Sequence, residues 1–131
     1  MWRALFLCSL MLSACAADET VFSYGAGERT WELQAVNGAP FPAKVALMFP
    51  RPGRIEGQGP CNRFSAAQRV PYPWFEAGPL IVTRLSCPDQ QAEAQFLDLL
   101  SRMELARVDG DRLILSVWDG DELVFILRPD D

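Results

Sequence analysis

The pattern of apolar and polar positions divides the chain into short segments with a period of two and one segment with a helical period. Apolar residues alternate with other residues over 30–36 and 44–49, as expected for half-buried strands. A helix is predicted near 88–104, because Pro88 is suited to the first helical position. Its apolar positions recur at helical spacing and are Ala92, Phe96, Leu99, Leu100 and Met103.

Turn residues predict how the strands connect. Two prolines and a glycine over 50–53 precede a returning strand at 54–57, which indicates a hairpin. Asp-Gly pairs at 109–110 and 119–120 divide the C-terminal region into three strands. The last two of these strands are expected to form a hairpin.

Proline placement limits the middle of the chain. Prolines within 58–75 exclude a regular central strand over that length and favour edge strands and loops. The continuous apolar run 79–83 predicts a buried strand. The predicted fold class is therefore mainly β (α+β): an antiparallel sheet of about seven or eight strands, closed or nearly closed into a barrel, with the helix over one opening. An open α+β sheet is the alternative.

The N-terminal segment has the pattern of a bacterial lipoprotein signal. An apolar run over 4–12 follows Arg3, and the sequence Leu12-Ser13-Ala14-Cys15 is typical of a lipobox. Cleavage after residue 14 would leave Cys15 as the acylated first residue, with 15–29 as lipidated N-terminus and tether. Nine apolar residues are too few to cross a membrane, which needs about 20. In the alternative interpretation, the run is a core element and Cys15 an ordinary thiol.

Composition restricts the remaining chemistry. Removing residues 1–14 leaves 117 residues, enough for a single domain, with 11 basic and 17 acidic side chains and no basic cluster. Nucleic acid is therefore an unsuitable partner, because phosphate binding depends on clustered cations. The chain contains no histidine, the commonest general base and metal ligand. No cofactor and no metal site are predicted.

Cys61 and Cys87 form an even pair in the mature chain. In an exported protein such a pair favours a disulfide. A redox role is the second hypothesis, since Cys87 precedes a helix, where the dipole favours a thiolate. Metal binding is the third, although two cysteines without histidine leave a zinc site short of ligands.

Two motifs carry a family resemblance. Residues 57–65 read Gly-Gln-Gly-Pro-Cys-Asn-Arg-Phe-Ser and residues 83–87 read Thr-Arg-Leu-Ser-Cys. With the helical Glu-x-x-Phe-Leu over 93–97, they resemble the META domain family, which includes HslJ-like envelope lipoproteins. The resemblance covers 30–131. Relatives commonly have Gly-Cys-Asn, whereas Pro60 precedes Cys61 here, so a role for a backbone N–H at residue 60 is in doubt.

The resemblance implies a small β-barrel-like domain linked to envelope stress, drug tolerance, secretion or virulence, without established catalysis. We expect a non-enzymatic module that binds or stabilises an envelope component; the alternatives are a barrel for a small apolar ligand and a thiol oxidoreductase. The membrane is the expected partner of the lipid. Ala16 favours the outer membrane, facing the periplasm, under the sorting rule of enterobacteria.

Several polar and aromatic residues are candidates for a site. Asn62, Arg63 and Arg84 are candidate binding residues, although an asparagine in a turn more often bonds local backbone. No catalytic residue is predicted, since the carboxylates Glu93, Asp98 and Glu104 are expected on a solvated helix face. Aromatic residues expected in the core or at its rim are Trp31, Trp74, Phe75 and Trp118, with 72–75 as the first patch to inspect for exposure.

Overall fold

The computed structural model describes residues 17–129; the predicted signal peptide, Cys15 and Ala16 lie outside them. Within these residues the chain forms nine strands, one α-helix and one short 3₁₀ helix. The 3₁₀ helix is Val21–Tyr24 and α1 is Gln90–Arg102. The strands are β1 Thr30–Val36, β2 Ala39–Pro40, β3 Ala46–Met48, β4 Arg54–Gln58, β5 Arg63–Ala67, β6 Ile81–Val82, β7 Leu105–Asp109, β8 Arg112–Ser116 and β9 Glu122–Leu127.

All strand pairs are antiparallel and belong to one sheet, in the order β6-β5-β4-β3-β1-β9-β8-β7, with β2 paired to β1. The predicted mainly β (α+β) class is confirmed, but the sheet is not closed. β6 has only two residues, and segment 73–75 occupies the outer side of β7 instead of β6. Trp74 bridges Leu105, and the Phe75 N–H donates to the Glu104 carbonyl at 2.8 Å.

The core lies between the curved sheet and α1. The helix buries Phe96, Leu99 and Leu100, the face that the apolar spacing predicted. The Phe96 ring lies 5.7 Å from Phe64 of β5 and 6.3 Å from Phe125 of β9. Burying one such ring contributes about 1.5–3 kcal/mol. The helix therefore joins two distant parts of the sheet.

The prediction that 15–29 is a tether is wrong from Asp18 onward. Val21 and Ala26 are buried, and the Trp31 indole N–H donates to the Ala26 carbonyl at 3.1 Å. The Asp18 carboxylate accepts hydrogen bonds from the hydroxyls of Thr20 and Ser23, which holds the 3₁₀ turn. Residues 15–29 are mostly small or polar and lack periodicity, so their sequence did not indicate that part of the segment packs against the core. Within residues 17–129, no helix is long and apolar enough to span a membrane.

Two strand predictions are also wrong. The run 79–83 yields only β6, and Ile81 is 69% exposed, because β6 is an edge strand rather than a buried one. β5 lies within the proline-rich stretch and pairs with strands on both sides, so it is not an edge. Its five residues fall between Pro60 and Pro71, where backbone N–H groups are available for pairing.

Candidate functional site

The predicted disulfide between Cys61 and Cys87 is present. Their Cα atoms lie 5.6 Å apart, within the range that a disulfide requires. The bond joins the β4–β5 loop to the segment that enters α1. Neither sulfur is a free thiol in this state, so neither can act as a thiolate nucleophile or metal ligand. Among the described residues, no cluster of three or more His, Cys, Asp or Glu side chains could hold a metal ion.

Glu93 lies beside this disulfide and is only 4% exposed. Its Oε2 atom accepts the backbone N–H groups of Cys61 at 2.8 Å and Asn62 at 2.7 Å, while Oε1 accepts the Asn62 side-chain amide at 2.6 Å. The expected solvated face is therefore wrong for Glu93 and right for Asp98 and Glu104, which are exposed. The first turn of α1 is pressed against the β4–β5 loop, and the donors of that loop compensate the buried carboxylate.

Asn62 connects Glu93 to the segment that follows β6. Its amide nitrogen also donates to the Leu85 carbonyl at 3.0 Å, and its Oδ1 accepts the Thr83 hydroxyl at 2.8 Å and the Leu85 N–H at 2.6 Å. Two donors and two acceptor positions are thus all used. The Asn62 amide binds backbone 23 residues away and is buried, so it holds the fold together and is not presented to a ligand.

We call Cys61, Asn62, Thr83, Leu85, Cys87 and Glu93 the polar junction. The departure at Pro60 does not disturb it, because the two N–H groups that bind Glu93 belong to Cys61 and Asn62. A residue larger than glycine would clash at position 59, since a Cβ there would lie 2.5 Å from Glu93 Oε2. All members of the polar junction belong to the sequence motifs, but the motifs gave no sign that Thr83, Leu85 and Glu93 form hydrogen bonds with Asn62.

The candidate binding residues do not form one site. Arg63 and Arg84 are exposed, and within residues 17–129 neither side chain forms an ion pair. The Arg63 side chain borders a recess between β4, β5 and β6, whereas Arg84 borders another between β6 and α1. Asn62 lies beneath them in the polar junction. The two guanidinium groups therefore remain candidates for contacts at the surface.

Recesses in the described surface open to solvent and have mixed walls. One of about 800 Å³ lies across β1 and β3 and includes charged side chains such as Lys44 and Asp89. The interior enclosed by sheet and helix is occupied by side chains, among them Trp31, Phe96 and Phe125, which are fully buried. This packing does not support the hypothesis of an apolar ligand inside a barrel.

The predicted aromatic residues divide between core and surface. Trp31 and Phe75 are buried, whereas Trp74 and Trp118 are more than half exposed. Tyr72 is half-buried and stacks on Tyr24, with ring centroids 4.6 Å apart. The segment 72–75 is therefore an edge cover for β7 with one exposed indole rather than a flat aromatic platform.

Comparisons with known proteins agree with this architecture. The chain resembles a solved protein from Burkholderia xenovorans, with a TM-score of 0.63 and 21% identity over 88% of this chain and 94% of the other. It also resembles a DUF4847 family protein from Bacteroides vulgatus, with a TM-score of 0.61 and 12% identity over 85% and 99% of the two chains. These likenesses concern the fold alone. No match was found among curated proteins.

The family model of the META domain matches residues 25–130. This match includes both cysteines of the disulfide, Asn62 and Glu93, and it begins within the segment that packs against the core. The expected resemblance is therefore confirmed, and the chain belongs to the META domain family.

Proposed function

We propose that this protein is a lipid-anchored, non-enzymatic binding module of the bacterial cell envelope. The observation that carries the proposal is the internal use of the motif residues. Asn62 and Glu93 satisfy each other and the surrounding backbone, and Cys61 and Cys87 are joined. The chemistry of the motifs thus stabilises a rigid body, which leaves the surface to contact a partner.

The anchor is proposed from the lipobox that ends at Cys15. Several acyl chains on one cysteine would hold the domain at a membrane, since each buried methylene contributes about 0.8 kcal/mol. Ala16 after the cysteine supports placement in the outer membrane with the domain facing the periplasm. The partner would then be an envelope protein close to that surface.

The anchor is tested by Cys15→Ser in the full chain expressed in cells. We expect the variant to lose acylation and to be released from membranes without detergent, as measured by metabolic labelling with a fatty acid and by fractionation. Cys8→Ser, which changes a cysteine inside the signal segment, is the matched control and should leave acylation intact. Unchanged, detergent-requiring membrane association of Cys15→Ser would contradict the anchor.

The binding role is tested by photo-crosslinking in intact cells with the anchored chain, followed by identification of the bound protein. The alternative hypothesis, a thiol oxidoreductase, predicts instead that the purified protein has catalytic activity. Turnover of a model disulfide by the purified protein, removed by Cys87→Ser, would overturn the non-enzymatic proposal.

A further inference from the structure

The two edge strands of the sheet, β7 and β6, differ in whether another segment covers their outer side. The outer side of β7 is covered by 73–75 through backbone hydrogen bonds, including Ala106 N–H to the Pro73 carbonyl at 2.8 Å. β6 ends the sheet on the other side, and within residues 17–129 no strand pairs with its outer side. Uncovered edge strands present a row of backbone groups to which another strand can pair.

The register shows which backbone groups face outward. The Thr83 N–H donates to the Arg63 carbonyl at 3.1 Å, and the next pair along the strands is Phe64 with Val82. In antiparallel strands, hydrogen-bonded and non-hydrogen-bonded pairs alternate. Val82 therefore directs its N–H and carbonyl away from β5, toward the open side.

Apolar side chains surround this open backbone. Ile81 is 69% exposed and borders the recess that includes Arg63, whereas Leu85 is 66% exposed and borders the recess beside α1. A recess of about 490 Å³ between 80–85 and α1 adds Ala94 and Leu97 to this surface. An added strand would find backbone partners at Val82 and apolar contacts for alternate side chains.

The distribution of charged residues around β6 indicates which kind of partner strand would bind there. Residues 51–84, which contain β4, β5 and β6, hold five arginines and two acidic residues, Glu56 and Glu76. Residues 85–129, which contain α1 and β7 to β9, hold four arginines against nine acidic residues. The open edge thus belongs to the basic part of an acidic protein, with Arg63 and Arg84 exposed beside it. Complementary charge favours an acidic partner segment.

We infer that the outer edge of β6 is a docking site for an extended segment of a partner protein with alternating apolar and acidic residues. The segment adds to the sheet as a strand by pairing with Val82; its carboxylates lie on the face of Arg63, and its apolar side chains lie on the opposite face, toward Ala94 and Leu97 of α1. This inference rests on the proposed binding function and specifies the chemistry of the partner.

The test uses the full chain, purified in mild detergent, and two fluorescent eight-residue peptides. One alternates valine with glutamate and the other alternates valine with lysine. We expect the acidic peptide to bind about tenfold or more tightly than the basic one at low salt, with a smaller difference when salt screens the charges. Fluorescence anisotropy measures both affinities.

Val82→Pro probes the edge backbone specifically. Proline removes the outward N–H but no hydrogen bond to β5, and proline is tolerated on edge strands in this orientation. We expect at least about tenfold weaker binding of the acidic peptide, whereas Val82→Ala, which keeps the N–H, retains most of it. Circular dichroism and urea unfolding verify that both variants are folded.

Charge reversal supplies a second, independent variant. Arg63→Glu with Arg84→Glu should abolish the preference for the acidic peptide, whereas Arg107→Glu with Arg112→Glu, at the other end of the sheet, should preserve it. Equal binding of the two peptides, or unchanged binding by Val82→Pro, would overturn the inference. A wild-type dimer that Val82→Pro converts to monomer would also overturn it, since the occupant would be a second copy.

The proposed function has its own test, because a partner crosslinked at another surface would support binding while the edge inference fails.

Discussion

Two asparagine–carboxylate pairs with the same chemistry lie in different surroundings. In the polar junction, the Asn62 amide donates to Glu93, and its Oδ1 accepts the Leu85 N–H. At the β1–β2 turn, the Asn37 amide donates to Asp121 at 2.8 Å, and its Oδ1 accepts the Glu122 N–H at 2.8 Å. The first pair is buried, while the second lies at the surface with Arg102.

Because the hydrogen-bond pattern is the same, we expect burial to decide how much each pair stabilises the fold. Water can replace the partners of Asp121 when Asn37 is removed. Glu93 is 4% exposed and Asn62 is 6% exposed, so removing the Glu93 carboxylate would leave largely buried donors without their partner. The disulfide adds a covalent constraint to the buried pair alone.

The largest effect is expected when the disulfide is removed from the polar junction. Cys61→Ser with Cys87→Ser should lower the free energy of unfolding by about 3.5 kcal/mol, because a closed loop of about 27 residues restricts the unfolded chain. Urea unfolding of the purified, oxidised wild-type protein and of the double variant measures the change. Reduction of the wild-type protein is the control and should give a similar loss; unchanged stability on reduction would contradict the prediction.

The next effect is expected from Glu93→Gln. Glutamine keeps one acceptor oxygen but places its NH2 group opposite a donor, either the backbone N–H groups of Cys61 and Asn62 or the Asn62 side-chain amide, so we expect a loss of about 3 kcal/mol. Glu104→Gln, an exposed carboxylate just after the same helix, is the matched control and should change stability by less than about 0.5 kcal/mol. Equal effects of the two substitutions in urea unfolding would remove the distinction between buried and surface pairs.

The smallest effect is expected at the surface pair. Hydrogen bonds from Asn37, and then hydrogen bonding and attraction from Arg102, hold the pKa of the Asp121 carboxyl below its ordinary value of 3.8. Because the folded-state pKa is the lower one, this contribution to stability is complete above the unfolded-state pKa and is lost as pH falls through the folded-state pKa. Asp121→Asn should therefore flatten the acid side of the stability profile slightly, as measured by thermal unfolding between pH 5 and about 2. A steeper acid limb in the variant would contradict this sign.

The sequence predicted the fold wherever local patterns agree with tertiary packing. Residues Thr30–Val36 alternate and form β1 with the expected bounds, and the apolar stripe of α1 faces the core. The same patterns failed at β6, where the apolar run became an exposed edge, because sheet order depends on contacts between distant segments. They also failed at Val21 and Ala26, two buried residues in a segment without periodicity.

The sequence by itself predicted the family, through the motifs at 57–65 and 83–87. It also predicted the mainly β class, the α-helix near 88–104 and the pairing of Cys61 with Cys87, because turn residues, periodicity and an even cysteine pair are local or countable properties. Tertiary structure alone decided that Glu93 is buried against the β4–β5 loop and that Asn62 spans to Leu85. It also decided that β6 is left open while β7 is covered. Burial and edge exposure arise from the spatial arrangement of residues far apart in the chain, and no local pattern specifies that arrangement.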